Sequence, residues 1–395
     1  MRILLTSHGY PPTISGVTLL VQRLAHELVD RGHTVTVLAA SDRFEAYEVE
    51  DHGAQVVRLA SHRNPYWPAS PIPTISAEAL QRLVGDARPD VIHPHDALPF
   101  CLQIVRERER LDVPIVATCH YVPSFVAAYL TRRELANHLV EDAAWRYSIA
   151  LYNRVDEVVF PTFTHRDNFV REGLTSSTRV ISNGVDLARY NPAVPPLDVG
   201  KRYRLPESPR VLAVGRIAKD KNLEVLVRSM AEIQSSPPAR LLLAGEGPYR
   251  DTLAECAVEA GVADRVHFLG FVPERDLPGL YRACNAFAIA SEYEVQSIPA
   301  LQAAATGLPI VAIAKGSLPE ICRDGENGIL VRTDSPREFA AALAAALEHE
   351  VGGRMGQASL RLSRAHDEQR TFDQYEALYR QVTSGDALDL AGFTR

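Results

Sequence analysis

Short apolar runs alternate with helix-length stretches along this chain, and the alternation occurs twice. Ile3-Leu4-Leu5 is the first run, followed by a turn-rich loop from His8 to Gly16. Val17, Leu20, Val21, Leu24, Ala25 and Leu28 then recur at the 3.6-residue period of a helix, and Gly32 stands where a helix end favours a left-handed residue. His33-Thr-Val-Thr-Val-Leu-Ala reads as the next strand. Strand, helix and strand in that order predict a parallel pair joined by a crossover. Runs at Val56-Val57, Val91-Ile92, Val113 to Ala117 and Val158 to Phe160 continue the pattern, so residues 1–186 read as one doubly wound domain.

Prolines 192, 195, 196 and 206 then crowd a polar stretch, and residues 187–209 are expected to form a linker. The alternation restarts at Val211-Leu-Ala-Val and continues through Leu241-Leu-Leu-Ala, Val266-His-Phe-Leu, Ala286-Phe-Ala-Ile-Ala, Ile310-Val-Ala-Ile and Ile329-Leu-Val. Residues 210–365 thus make a second Rossmann-like domain, and residues 335–382 read as helices without a further strand. The fold class is α/β, two doubly wound domains facing a cleft. Open α/β sheets hold ligands beyond the carboxyl ends of their strands, which makes that cleft the expected site.

Composition narrows the function. With 395 residues, 46% hydrophobic and 23% charged, the chain is long enough for two cores. A net charge of −7 gives no basic footprint for nucleic acid. No apolar stretch reaches the ~18–20 residues of a membrane span, and the N-terminus turns polar too early for a signal peptide, so a cytoplasmic location is expected. Five scattered cysteines without a Cys-x-x-Cys pair suggest neither a disulfide framework nor a zinc site.

The candidate chemistry lies in the loops that follow strands. Gly16 closes a loop at the start of the first helix, where free N–H groups suit an anion. Gly215-Arg216-Ile-Ala-Lys219-Asp220-Lys221 repeats that arrangement in the second half. Arg216 offers a guanidinium fork and Lys221 a point charge to a diphosphate. Only four of the 42 basic residues are lysines, so two in one loop favour a need for the ammonium itself. Gly245-Glu-Gly-Pro248 is explained by turn chemistry. Gly270, Phe271 and Val272 follow another strand, where backbone amides meet a nucleotide base or Phe271 simply packs. Glu294 stands ahead of a helix that Ser297 caps and that carries Pro299 in its first turn, a place for a sugar-hydroxyl acceptor. His120 ends a strand expected to face the cleft. His93 and His95 point the same way from another strand with no third ligand in view, so no metal site is expected.

Taken together, these residues resemble a known family. Gly9-Tyr-Pro-Pro-x-x-Ser-Gly16-Val, Ile181-Ser-Asn-Gly184-Val-Asp186, Val-Gly-Arg216 to Lys221, Gly-Glu-Gly-Pro, Phe-Leu-Gly-Phe-Val, and Glu294 through Leu308-Pro309-Ile-Val are similar to glycosyltransferase family 4 with its GT-B fold. The resemblance implies retaining, metal-independent transfer of a hexose from a UDP- or GDP-hexose, which is a substrate rather than a cofactor. It implies that Gly16, Gly215, Arg216 and Lys221 hold the diphosphate, that Glu294 binds the hexose and that His120 lies beside the sugar. Gln296 and Ser297 would meet the sugar through their backbone, and the segment from Gly270 to Val272 the base. Residues 366–395 would cross back to the first, acceptor-binding domain. A second glutamate is common eight positions after the first, gripping ribose; here that position is Gln302, a neutral acceptor.

The acceptor is expected to be a hydroxyl, with a membrane lipid as the leading choice. Arg63-Asn-Pro-Tyr66-Trp67-Pro68 and Tyr121 to Tyr129, running into Arg132 and Arg133, suit peripheral contact with the inner face of a membrane. The alternatives are a soluble cyclitol or natural-product acceptor, a nucleotide-sugar epimerase, and a silent nucleotide-sugar-binding protein. A dehydrogenase would need the Gly-x-Gly-x-x-Gly fingerprint that this chain lacks.

Overall fold

A computed structural model describes residues 1–64, 71–125 and 134–384. The chain packs as two units, Met1–Ser182 together with the segment from Thr371, and Asn183–Arg370.

In the first unit the strand Arg2–Ser7, buried from its second residue on, sits in the middle of the sheet. The order across the sheet is Tyr47–Asp51, Ala54–Leu59, Thr34–Ala40, Arg2–Ser7 and Val91–Pro94. A single bridge between Ile92 and Ile115 carries the pattern on to Val116–Thr118, Glu157–Phe160 and Ser177–Val180. The pairings among these strands are parallel except that of Tyr47–Asp51, an antiparallel edge, and Ser61–His62 with Ile72–Pro73 adds a separate antiparallel pair. Helices and loops cover both faces, which is why most of the strands read as continuous apolar runs. The helix Gly16–Asp30 buries Leu20, Val21, Leu24, Ala25 and Leu28, and Gly32, at φ +83°, ends it. The helix Glu368–Ser384 adds Phe372, Tyr375, Leu378 and Tyr379 to the same core as Ile3, Leu5 and Val21.

The second unit is built on six parallel strands in the order Val266–Gly270, Arg240–Ala244, Arg210–Val214, Ala286–Ile289, Ile310–Ile313 and Gly328–Val331. The order reverses between Arg210–Val214 and Ala286–Ile289, and the carboxyl ends of two such strands mark the crevice where an open α/β sheet places its ligands. The first sheet has the same reversal between Arg2–Ser7 and Val91–Pro94.

The segment expected as a linker, 187–209, is part of the second unit instead. Tyr190 and Val199 are buried in its core, and the Leu197 N–H donates to Gly279 O at 2.8 Å. The first unit ends at Ser182 rather than 186, and the chain re-enters it at Thr371 rather than 366. Of the aromatic and arginine stretches expected at a membrane, Tyr66, Trp67, Pro68, Tyr129, Arg132 and Arg133 lie outside the described residues. Among the described residues no helix is long and apolar enough to cross a membrane.

Candidate functional site

In the second unit, two loops meet at the reversal of strand order. The first leaves Val214 through Gly215, whose φ of +144° favours glycine, and turns through Lys219–Lys221 into the helix Leu223–Ser229. The second leaves Ile289 and ends where Ser297 Oγ accepts the Ala300 N–H, capping the helix Ile298–Ala305 as expected. Lys221 Nζ donates to Glu294 Oε1 at 2.7 Å, joining the two loops. Arg216 Nη2 reaches both carboxylate oxygens of Asp220, at 3.0 and 3.2 Å, and Lys221 Nζ is 3.8 Å from the same group. Two cations and two acids therefore balance at the crevice. An arriving diphosphate would add the charge the cations are suited to hold.

Asp220 was not singled out in the sequence, yet it organises both cations from a position 6% exposed. The signal was present in its place four residues after Arg216, within the same loop. Gly245-Glu-Gly247 does more than turn the chain. A Cβ on Gly245 would lie 1.9 Å from Gly215 O, and one on Gly247 2.1 Å from Ile217 O. The Ile217 N–H donates to Glu246 O and the Tyr249 N–H to Ile217 O, so this turn is the seat on which the Gly215–Ala218 backbone rests.

Around Glu294, the Ser317 hydroxyl donates to its carbonyl at 3.1 Å, and Gln296 Oε1 accepts the Asn183 N–H at 2.6 Å. The neighbouring Glu292 is bound by Lys315, which also holds Asp334. Gln302 is buried, and its Oε1 accepts the Tyr281 hydroxyl at 3.0 Å. Gly270 has φ +68° and its carbonyl accepts the Gly245 N–H. Phe271 beside it is 56% exposed, so packing in the core does not account for it, while Val272 is buried.

In the first unit Ser15 caps the helix that Gly16 opens: its hydroxyl accepts the Thr18 N–H, and Thr18 Oγ1 accepts the Ser15 N–H. The amides of Gly16 and Val17 stay outside the helical ladder. Arg58, only 3% exposed, secures the preceding loop by donating to the carbonyls of Ala40, Tyr10 and Pro11. His120 follows the strand Val116–Thr118, and its Nε2 is 3.1 Å from His95 Nδ1. Burial first, and the nearby His165 second, push the His120 imidazole down to about 3. Asp96 next to His95 is pushed up to about 7 by burial, although its carboxylate accepts the Phe100 N–H. His93, read with His95 as a loose pair on one strand, is enclosed: its ring nitrogens face Tyr379 Oη at 2.5 Å and Thr118 Oγ1 at 2.7 Å. Among the described residues no three His, Cys, Asp or Glu side chains gather as a metal site, and all five cysteines are buried free thiols.

The family model described as Glycosyltransferase Family 4 matches residues 14–189, and that described as Glycosyl transferases group 1 matches residues 201–363. A D-inositol 3-phosphate glycosyltransferase from Corynebacterium efficiens is 34% identical over 322 residues, 76% of this chain and 73% of its own. A GDP-mannose-dependent alpha-(1-6)-phosphatidylinositol monomannoside mannosyltransferase from Mycobacterium tuberculosis is 27% identical over 358 residues, 87% of this chain and 88% of its own. Among solved structures, a sucrose-phosphate synthase from Thermosynechococcus elongatus shares the fold, with a TM-score of 0.82 and 24% identity over 97% of this chain and 99% of its own.

Proposed function

This chain belongs to glycosyltransferase family 4, and from that premise we propose that it moves a hexose, with retention and without a metal, from a nucleoside-diphosphate sugar to an inositol-ring hydroxyl. The observation that carries the reading is the 2.7 Å pair of Lys221 and Glu294 at the strand reversal, with Arg216 on the same loop. Arg216 and Lys221 hold the diphosphate and stabilise the negative charge that grows on it as the bond to the anomeric carbon breaks. Glu294, once its ammonium partner turns to phosphate, accepts hydroxyls of the hexose. The acceptor oxygen bonds to the anomeric carbon on the face the diphosphate leaves, and the acceptor proton passes to the leaving phosphate.

GDP-mannose is the first donor to try and UDP-glucose the second, because the mycobacterial relative is named as GDP-mannose-dependent. The inositol acceptor is supported by the names of both relatives, one borne on a lipid and the other a free inositol phosphate. If it is borne on a lipid, the enzyme works at the inner face of the membrane; the 34% identity of the second relative favours the free cyclitol. The test is a donor panel offered with inositol 3-phosphate and with phosphatidylinositol vesicles, in EDTA, with products read by mass and anomeric configuration by NMR. Transfer with retention in EDTA is the expected result. Inversion, rescue of a dead reaction by magnesium or manganese, or conversion of the donor into another sugar nucleotide would overturn the reading.

A further inference from the structure

Three histidine rings lie side by side at the strand ends of the first unit. The centroids of His93 and His95 are 3.9 Å apart, and those of His95 and His120 are 5.4 Å apart at an interplanar angle of 13°. His93 is pinned from both sides, and Thr118 Oγ1, which meets its Nε2, is also 3.1 Å from Tyr375 Oη. The His95 ring is thus backed by a fixed one, and its Nδ1 faces His120 Nε2 at 3.1 Å.

One proton lies between those two nitrogens, and the surroundings decide which ring supplies it. His95 Nε2 is buried and has no hydrogen-bond partner among the described residues. If His95 accepted from His120, a neutral His95 would carry its proton on Nε2, and a donor would be buried unmet. If His95 donates from Nδ1, only a lone pair is left unmet there, and in the backbone, where the comparison is known, an orphaned buried N–H is rarer than an under-satisfied acceptor. The second arrangement obliges a neutral His120 to hold its own proton on Nδ1, the nitrogen that no described side chain engages.

We propose that His95 is a positioning residue that donates from Nδ1 to His120 Nε2 and so presents His120 as a neutral Nδ1–H donor to the substrate. The proposal rests on the reading that His120 stands beside the donor sugar. Burial keeps both rings neutral, in line with the depressed protonation of each.

Two-bond proton–nitrogen spectra of histidine-labelled protein read the tautomer directly, without a donor. His120, assigned by its loss in His120→Asn, is expected to show a bare Nε2 and a protonated Nδ1; the reverse pattern overturns the proposal. Kinetics supply the second arm, with the donor found active in the panel. His95→Leu removes the N–H at similar bulk and is expected to lower kcat about 10–100-fold, the scale seen when the partner that orients a metal-bound histidine is removed, while the donor KM shifts less. His95→Asn restores an amide N–H near the lost Nδ1 and is expected to recover most of that kcat. Equal loss in both variants with matching falls in Tm would mean a structural role and overturn the proposal, as would wild-type kinetics in His95→Leu. Wild-type kinetics in His120→Ala would remove His120 itself from the reaction, a failure distinguishable from that of His95 alone.

Discussion

Lys221 and Glu294 form an ion pair 2.7 Å long at the crevice of the second unit, and the pair is either a brace or a tool. A double-mutant cycle of Lys221→Met, Glu294→Gln and both together separates the two. Lys221→Met leaves a carboxylate only 14% exposed without its ammonium, and a hydrogen bond to a charged group contributes about 1.5–3 kcal/mol. A loss of about 1–3 kcal/mol of stability is expected from that variant. Glu294→Gln costs less, because Asp220 remains 3.8 Å from the ammonium. The double variant leaves two neutral groups and should regain most of the lost stability, a coupling that urea denaturation measures. Activity is expected to behave differently. Losing one preorganised cation at the leaving group lowers turnover about 10²–10³-fold, or about 2.7–4 kcal/mol, and neutralising Glu294 restores no cation. Donor hydrolysis in the double variant should therefore stay at least as slow as in Lys221→Met while stability returns. Recovery of kcat/KM to within about threefold of wild type, in step with stability, would show that the pair only braces the loops.

Gly247→Ala places a Cβ 2.1 Å from Ile217 O and should displace the phosphate-type loop, raising donor KM and costing about 1–3 kcal/mol; Gly353→Ala, with nothing within 4 Å, should be neutral or slightly stabilising in the same melts. Gln302→Glu keeps an acceptor for the Tyr281 hydroxyl, so donor KM is expected to stay within about threefold of wild type or to fall; a tenfold rise would take position 302 out of the donor site. Burial holds His165 down to about 4, against about 6.5 in an unfolded chain, so the unfolded state binds the extra proton between those values. Stability should be full above about pH 6.5 and decline toward pH 4, with a shallower decline in His165→Gln; an unchanged slope in that variant would refute the assignment. Arg216→Ala should raise donor KM and lower kcat without lowering Tm by more than a degree or two, since its partner Asp220 retains Lys221 nearby; unchanged kinetics would move the diphosphate elsewhere.

Most strands were legible because a sheet covered on both faces needs unbroken apolar runs, as in Ile3-Leu-Leu and Leu241-Leu-Leu-Ala. Tyr47–Asp51 was not, because an antiparallel edge strand with three central exposed residues carries no such run. The 187–209 segment reads as a linker for a related reason: prolines look the same in a free tether and in a strap held down by Tyr190 and Val199. At the site, Lys221, Arg216 and Glu294 were legible as charged residues in loops after strands. Strand order was not, since the pairing of Arg210–Val214 with Ala286–Ile289 spans more than seventy residues and no local pattern records it. The role of Gly247 was hidden likewise, because the carbonyl that forbids a side chain there belongs to Ile217, thirty residues earlier. In the sequence His95 is one of two histidines at a strand end; the frame that Thr118, Tyr375 and Tyr379 build around its neighbour His93 comes from residues distant in the chain and leaves no local signal.

The helix Glu368–Ser384 has a consequence for how the protein is made. Phe372, Tyr375, Leu378 and Tyr379 pack on Ile3, Leu5 and Val21, so the first unit is discontinuous in sequence and the whole of residues 183–370 is translated before its last layer emerges. At about 5–20 residues per second that delay is roughly 10–40 s, during which this face of the nascent sheet is covered only in part, by the helix Gly16–Asp30. The second unit, contiguous in sequence, is free to close on the ribosome in that interval, reversing the usual N-terminal-first order. A nascent chain stalled before residue 371 should accordingly be protease-resistant across 183–370 and cleaved readily within 1–182, with a holdase chaperone bound to the part that was synthesised first.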